Sequence, residues 1–184
     1  SEEEKLDRLL EELKKVAEEV NRENEKLLED LERVVRDLNE KNKAALKKLE
    51  DAVRRLKEAI KDKPEDVLRT LEDDLRKVRK KVEDVNRESK EILDRVRKEI
   101  KETNEESKRI LDRVEREADR IRRDKDDSVD RVEERLREII KTLRKLLEDS
   151  KESVRKIIEE LKRLVDRSIE DLERIIKELE DKVR

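Results

Sequence analysis

Apolar residues recur along the whole chain at helical spacing. In the first third they stand three or four positions apart, as at Leu6, Leu10, Leu13 and Val16, and the same rhythm returns in two later stretches. Such spacing places the apolar side chains on one face of an α-helix. The pattern predicts three amphipathic helices, at about residues 2–61, 65–123 and 128–184.

Two short polar segments interrupt this pattern. Pro64 lacks an N–H and fits the first turn of a new helix, which makes Asp62 or Lys63 the cap region. The second segment contains three residues whose short side chains can cap a helix N-terminus, Asp126, Asp127 and Ser128. Because both connections are short, consecutive helices are expected to lie antiparallel. The predicted fold is all-α, a single straight antiparallel three-helix bundle, up-down-up, over residues 1–184.

The straightness is predicted by a repeat at an interval of eighteen residues. The segment 86–96 reads NRESKEILDRV, and the segment 104–114 reads NEESKRILDRV. A helix advances about 100° per residue, so eighteen residues complete about five turns and return each side chain to the same azimuth. A sustained seven-residue repeat would instead impose a left-handed supercoil. We therefore expect straight helices, each roughly 90 Å long.

Polar residues within the apolar stripes keep the same interval. When the two predicted hairpins are aligned about their turns, these residues form two polar layers. The first polar layer contains Asn21, Asn24, Thr103, Asn104, Ser107 and Ser150, and the second polar layer contains Asn39, Asn42, Asn86, Ser89 and Ser168. In this alignment Ser150 lies beside Thr103 and Asn104, and Ser168 lies near Asn86. The asparagines at 21, 39, 86 and 104 fall near the edge of the stripe, and the other layer residues share the azimuths of core side chains. A buried amide without partners costs a few kcal/mol, so we expect two buried hydrogen-bond networks that fix helix register.

The composition narrows the functional classes. Gly, His, Cys, Met, Phe, Tyr, Trp and Gln are all absent, and 59% of the residues are charged, which is typical of long helices and coiled coils. The 53 basic and 56 acidic residues are intermixed, so the charge pattern favours solubility over binding to nucleic acid or membrane. No cysteine framework, transmembrane span or signal-peptide core is evident in the sequence. We expect a soluble protein without cofactor or metal.

Three features could carry chemistry, and each has a structural explanation that we favour. The basic stretch 76–81 is flanked by acidic residues and lacks aromatic residues for base stacking, so a solvated helix face is expected. Asp126 and Asp127 lack the loop length and glycine of a calcium site. Ser128 has no histidine or cysteine to assist it as a nucleophile. The sequence predicts no enzymatic activity.

Three features of the chain together resemble a known class of protein: the polar layers, the glycine-free charged surface and the short Lys63-Pro64-Glu65 turn. The chain is similar to de novo designed helical bundles with buried hydrogen-bond networks, in which polar layers interrupt an aliphatic core to enforce specificity. The resemblance covers all 184 residues. It implies a hyperstable coiled-coil-like scaffold without natural activity, found in the cytoplasm of an expression host, and it transfers no catalytic or binding residue.

Two functions remain open at this point. The first is a self-contained monomeric scaffold that requires no partner. The second is an interaction module, a subunit of a designed oligomer that accepts a further helix or a second copy between helices 1 and 3. Adjacent apolar pairs that widen the stripes of those two helices motivate this alternative: Leu9 with Leu10, Val34 with Val35, Ile157 with Ile158, and Ile175 with Ile176. A natural long-helix protein, spectrin-like or membrane-curving, is a remote third reading because aromatic residues and glycine are missing.

Overall fold

The computed structural model describes residues 2–62, 64–124 and 129–183. They form an all-α three-helix bundle of α1 (Glu2–Ala59), α2 (Glu65–Asp124) and α3 (Val129–Val183), and no β-strand occurs in these ranges. Each observed boundary within them lies within two residues of the predicted one, which is the usual uncertainty of helix ends. The predicted caps Lys63, Asp126, Asp127 and Ser128 lie outside the described residues.

The first turn follows from local sequence. Residues 60–62 form a turn after α1, and Asp62 is exposed there. The N–H of Val67 donates to the carbonyl oxygen of Pro64 at 3.1 Å, which closes the first turn of α2 around a residue that has no N–H of its own. Glu65 and Asp66 stand in this first turn, where acidic side chains favour the positive end of the helix dipole.

The chain divides into two compact units, and every helix contributes to both. Unit 1 comprises Ser1–Asp30 and Arg95–Lys156, and unit 2 comprises Leu31–Asp94 and Ile157–Arg184. Each unit has an aliphatic core built from all three helices. Leu13, Ala118 and Leu136 are buried in the core of unit 1, and Leu49, Val82 and Leu172 are buried in that of unit 2. Each fully buried leucine or valine contributes roughly 1.5–3 kcal/mol, so these cores are the main source of stability.

Ion pairs along the helix surfaces agree with the antiparallel arrangement of α1 and α2. In unit 2, Lys57 pairs with Glu72 at 3.0 Å and Arg79 pairs with Glu50 at 2.9 Å. In unit 1, Lys14 pairs with Glu115 at 3.4 Å, and Arg122 near the end of α2 pairs with Asp7 near the start of α1. Exposed pairs contribute about 0–1 kcal/mol each, so they support the register more than the stability.

Candidate functional site

The two predicted polar layers each lie within one unit. The first polar layer belongs to unit 1 and the second polar layer to unit 2. Four of their residues are deeply buried, with 0% exposure for Asn24 and Asn42 and 1% for Ser89 and Ser107. The remaining layer residues are half-buried: Asn21, Asn39, Asn86, Thr103, Asn104, Ser150 and Ser168. The four asparagines predicted at the edge of the stripe are thus half-buried as residues, although the Oδ1 atoms of Asn21 and Asn39 are buried.

The second polar layer connects all three helices. Asn42 Nδ2 on α1 donates to Asn86 Oδ1 on α2 at 3.2 Å, and Ser168 Oγ on α3 donates to Asn42 Oδ1 at 3.1 Å. Ser89 Oγ donates to the carbonyl oxygen of Val85, one turn earlier on α2, at 2.9 Å. The amide of Asn42 thus uses its acceptor toward one neighbouring helix and its donor toward the other.

The first polar layer has the same residue types but fewer bonds. Asn24 Nδ2 donates to Asn104 Oδ1 at 3.1 Å, the counterpart of the bond between Asn42 and Asn86. Asn24 Oδ1 and Ser107 Oγ are buried and have no hydrogen-bond partner. Ser150 therefore does not donate to Asn24, although Ser168 donates to Asn42 from the equivalent position.

Two expectations for the layers require correction. We expected the polar groups at core positions to be mutually hydrogen-bonded, but Asn24 Oδ1 and Ser107 Oγ have no partner, and at the edge positions Asn21 Oδ1 and Asn39 Oδ1 have none either. Ser168, which we placed near Asn86, donates to Asn42, the residue that in turn donates to Asn86. Thr103, Ser150 and Ser168 are half-buried rather than buried, and for Ser168 the reason is a groove between α2 and α3 that its small side chain helps to line.

That groove belongs to unit 2 and has a volume of about 320 Å³. Its floor is aliphatic, with Val82, Leu164 and Leu172 among the lining residues, and Lys81 and Arg167 stand at its rim. A second groove, in unit 1, lies between α1 and α2 and has a volume of about 430 Å³. Among the described residues, Ser168 is the only hydroxyl residue that lines the first groove, and its hydroxyl donates to Asn42; the lining of the second groove contains no hydroxyl side chain.

Glu133 is a buried acidic residue that the sequence reading missed. It lies on α3 in unit 1, it is 9% exposed, and its Oε1 has no hydrogen-bond partner. The sequence did contain a signal, since Glu133 stands four residues after Val129 and three before Leu136, which is the spacing of the apolar stripe.

The charged surface shows ordinary helix chemistry. In the basic stretch 76–81, Arg76 pairs with Asp73 and Arg79 pairs with Glu50, as expected for a solvated helix face. On α3, Arg155 Nη2 donates to Glu152 Oε1 at 2.6 Å, and this hydrogen bond and the guanidinium charge lower the pKa of the Glu152 carboxyl. Within the described ranges, no group of three or more acidic side chains is arranged to hold a metal ion.

Comparisons with known proteins add no assignment to this geometry. No family model, no curated protein and no solved structure matches the chain. None of the three helices, as far as they are described, has a stretch long and apolar enough to cross a membrane.

Proposed function

We propose that this chain is a designed structural scaffold with no natural biochemical activity, a monomeric three-helix bundle whose helices are held in register by the two polar layers. The observation that carries this proposal is the bonding of Asn42. Its amide is fully buried and binds both Asn86 and Ser168, so a single side chain links all three helices. A shift of one helix by a single residue would break these bonds and leave their polar atoms buried without partners, which costs about 1–3 kcal/mol per group.

The surface of the described residues supports a self-contained bundle. None of the large hydrophobic side chains described is exposed. Sites at which proteins associate commonly present contiguous apolar patches, so their absence from the described surface argues against an obligate partner. The composition points to design, because glycine, histidine and all aromatic residues are missing from a chain of 184 residues.

The alternative is a helical interaction module, a subunit that accepts a further helix. One observation favours it, the aliphatic groove in unit 2 with Val82, Leu164 and Leu172 in its floor. This groove lies between α2 and α3, whereas the sequence suggested a site between α1 and α3. Helix α1 contacts α3 most, which does not favour insertion of a partner helix between these two.

Light scattering coupled to gel filtration tests the proposal against this alternative. The scaffold predicts the mass of one chain, 22.3 kDa, at micromolar concentration and at tenfold dilution. A mass two or four times larger that falls on dilution would support the interaction module. A matched variant, Leu164→Lys, places a charge in the groove: it would restore the single-chain mass if the groove were the interface, and it leaves the mass unchanged if the chain is a monomer.

A further inference from the structure

The first polar layer contains two buried oxygen atoms that are free to bind a ligand. Asn24 Oδ1 is a strong hydrogen-bond acceptor, and the Ser107 hydroxyl is both a donor and an acceptor. Both residues are almost completely buried, and neither atom has a hydrogen-bond partner. A buried polar atom left in this condition costs about 1–3 kcal/mol, so a small polar molecule that bound both would stabilise the fold.

The second polar layer shows that these residue types can be satisfied by the protein alone. Asn42 Oδ1, the counterpart of Asn24 Oδ1, accepts from Ser168. Ser89, the counterpart of Ser107, donates to the carbonyl oxygen of Val85. The pair of unpartnered oxygens at Asn24 and Ser107 is therefore specific to unit 1, because the equivalent pair in unit 2, at Asn42 and Ser89, is satisfied.

A groove leads from the surface of unit 1 to this layer. It lies between α1 and α2, and its lining residues include Asn21, Ile100 and Asn104. Asn104 is the residue that accepts the hydrogen bond from Asn24. A molecule as small as water can therefore approach the buried amide along polar groups.

Ser107 follows Asn104 by one helical turn on the same face of α2. Side chains at this spacing have Cβ atoms about 5–6 Å apart. Because Asn24 donates to Asn104, the Ser107 hydroxyl stands one helical turn from the amide pair, and a water molecule with two hydrogen bonds of about 2.8 Å each can bridge a gap of this order.

We propose that the first polar layer binds an internal water molecule, which donates to Asn24 Oδ1 and accepts from the Ser107 hydroxyl, and that no water binds at the equivalent position between Asn42 and Ser89 in the second polar layer. Internal waters in proteins typically make two to four hydrogen bonds to buried polar groups, and the two named here meet that minimum. This inference rests on the proposed role of the layers as buried networks, because an exposed Asn24 would be hydrated without any specific site.

Nuclear magnetic resonance of the isotope-labelled full chain tests the inference. We expect magnetisation transfer from water, with the sign of a slowly tumbling bound molecule, to the side-chain amide protons of Asn24. The side-chain amide of Asn42 is the internal control, and no transfer is expected there. Absence of transfer at Asn24, or equal transfer at Asn42, would overturn the inference.

The variant Ser107→Ala tests whether the Ser107 hydroxyl helps to hold the water. Under the inference the water loses one of its two hydrogen bonds, and the signal at Asn24 falls strongly; an unchanged signal would contradict the inference. Transfer that was only relayed by proton exchange through a serine hydroxyl would also reach Asn42, because Ser89 stands there at the position of Ser107, and the inference would then be wrong. Hydrogen exchange of the Asn24 side chain distinguishes the two proposals: protection without a water signal contradicts only the bound water, whereas exchange as fast as in an exposed asparagine contradicts the buried layer itself.

Discussion

The two polar layers are built from the same residue types at the same repeat positions, yet their hydrogen bonding differs. In the second polar layer Asn42 uses both ends of its amide, toward Asn86 and Ser168. In the first, Asn24 keeps only the bond to Asn104. In both layers an asparagine of α1 binds an asparagine of α2. In the part of the chain that the structure describes, helix α3 is linked only in the second polar layer, where the Ser168 hydroxyl donates to the side-chain oxygen of Asn42.

The difference extends beyond the layers themselves. Within the described residues, four of the five buried side-chain oxygens without hydrogen-bond partners belong to unit 1, namely Asn21 Oδ1, Asn24 Oδ1, Ser107 Oγ and Glu133 Oε1, and Asn39 Oδ1 belongs to unit 2. A buried hydrogen-bond network specifies a single arrangement of the helices more strongly when all of its members are paired. Unit 2 should therefore fix the helix register more strongly than unit 1.

The largest expected effect is that of Asn42→Leu compared with Asn24→Leu. Replacing Asn42 leaves Asn86 Oδ1 and Ser168 Oγ without their partner and should lower the free energy of unfolding by about 2–3 kcal/mol. Replacing Asn24 removes a single hydrogen bond between protein groups, the one to Asn104 Oδ1, and should cost less, about 1 kcal/mol. Denaturant titration measures both, and the gain in helix propensity is the same in each variant. Equal losses would remove the distinction between the layers.

The serines of α3 provide the next comparison. Ser168→Ala removes the donor to Asn42 Oδ1 and leaves a buried acceptor unpaired, so a loss of about 1 kcal/mol is expected. Ser150→Ala, at the equivalent position of unit 1, removes no bond to Asn24 and should change stability by less than about 0.5 kcal/mol. The same titrations test this pair, and a larger loss for Ser150→Ala would contradict the assigned bonding.

A single substitution should stabilise unit 1 more easily than unit 2, because unit 1 contains the buried acidic residue Glu133. Glu133→Leu replaces a buried carboxylate that has an unpaired oxygen with an apolar side chain of similar helix propensity, and we expect a gain of about 1 kcal/mol. Its neighbour Glu134 is exposed, so Glu134→Leu is the matched control and should give no gain. Thermal unfolding of the two variants decides the point. A loss of stability in Glu133→Leu would mean that the carboxylate has a favourable role.

The smallest expected effect concerns a surface pair that does not follow the repeat. Arg155 lowers the pKa of Glu152, and eighteen residues later the same positions hold two acids, Glu170 and Glu173. A carboxyl whose pKa is lowered in the folded state stabilises the fold above its unfolded pKa, and that contribution is lost as the pH falls through the folded value. Glu152→Gln should therefore reduce stability slightly at neutral pH and make no difference in strong acid. Glu170→Gln is the matched control from the next repeat, because Glu173 stands there at the position of Arg155 and has no guanidinium to donate.

Much of this architecture could be predicted because it depends on periodicity. The spacing of apolar residues predicts the three helices, and Pro64 predicts where the second begins. Azimuth and hairpin register together predict which asparagines share a layer, and the bonds of Asn24 with Asn104 and of Asn42 with Asn86 each join residues of one predicted layer. The expected straightness of the helices stays a prediction.

The bonding within each layer could not be predicted in the same way. Ser150 and Ser168 are the same residue type at the same azimuth, so their different behaviour depends on side-chain rotamers that are set by packing. Ser89 and Ser107 differ for the same reason, as only Ser89 donates to the carbonyl oxygen one turn earlier. Periodicity identifies which side chains share a layer, but it contains no information on how their hydroxyl groups turn.

Replacing the bonded set of the second polar layer as a whole tests the central claim most directly, namely that the layer provides specificity rather than stability. The variant Asn42→Leu, Asn86→Leu, Ser168→Val exchanges a satisfied network for aliphatic side chains, which is often neutral or stabilising. We predict that it unfolds at a denaturant concentration at least as high as the parent chain, although Asn42→Leu alone unfolds earlier, and that light scattering finds dimers or larger species beside the monomer. A triple variant that is less stable than the single one, or that is as stable as the parent and exclusively monomeric, would contradict the account.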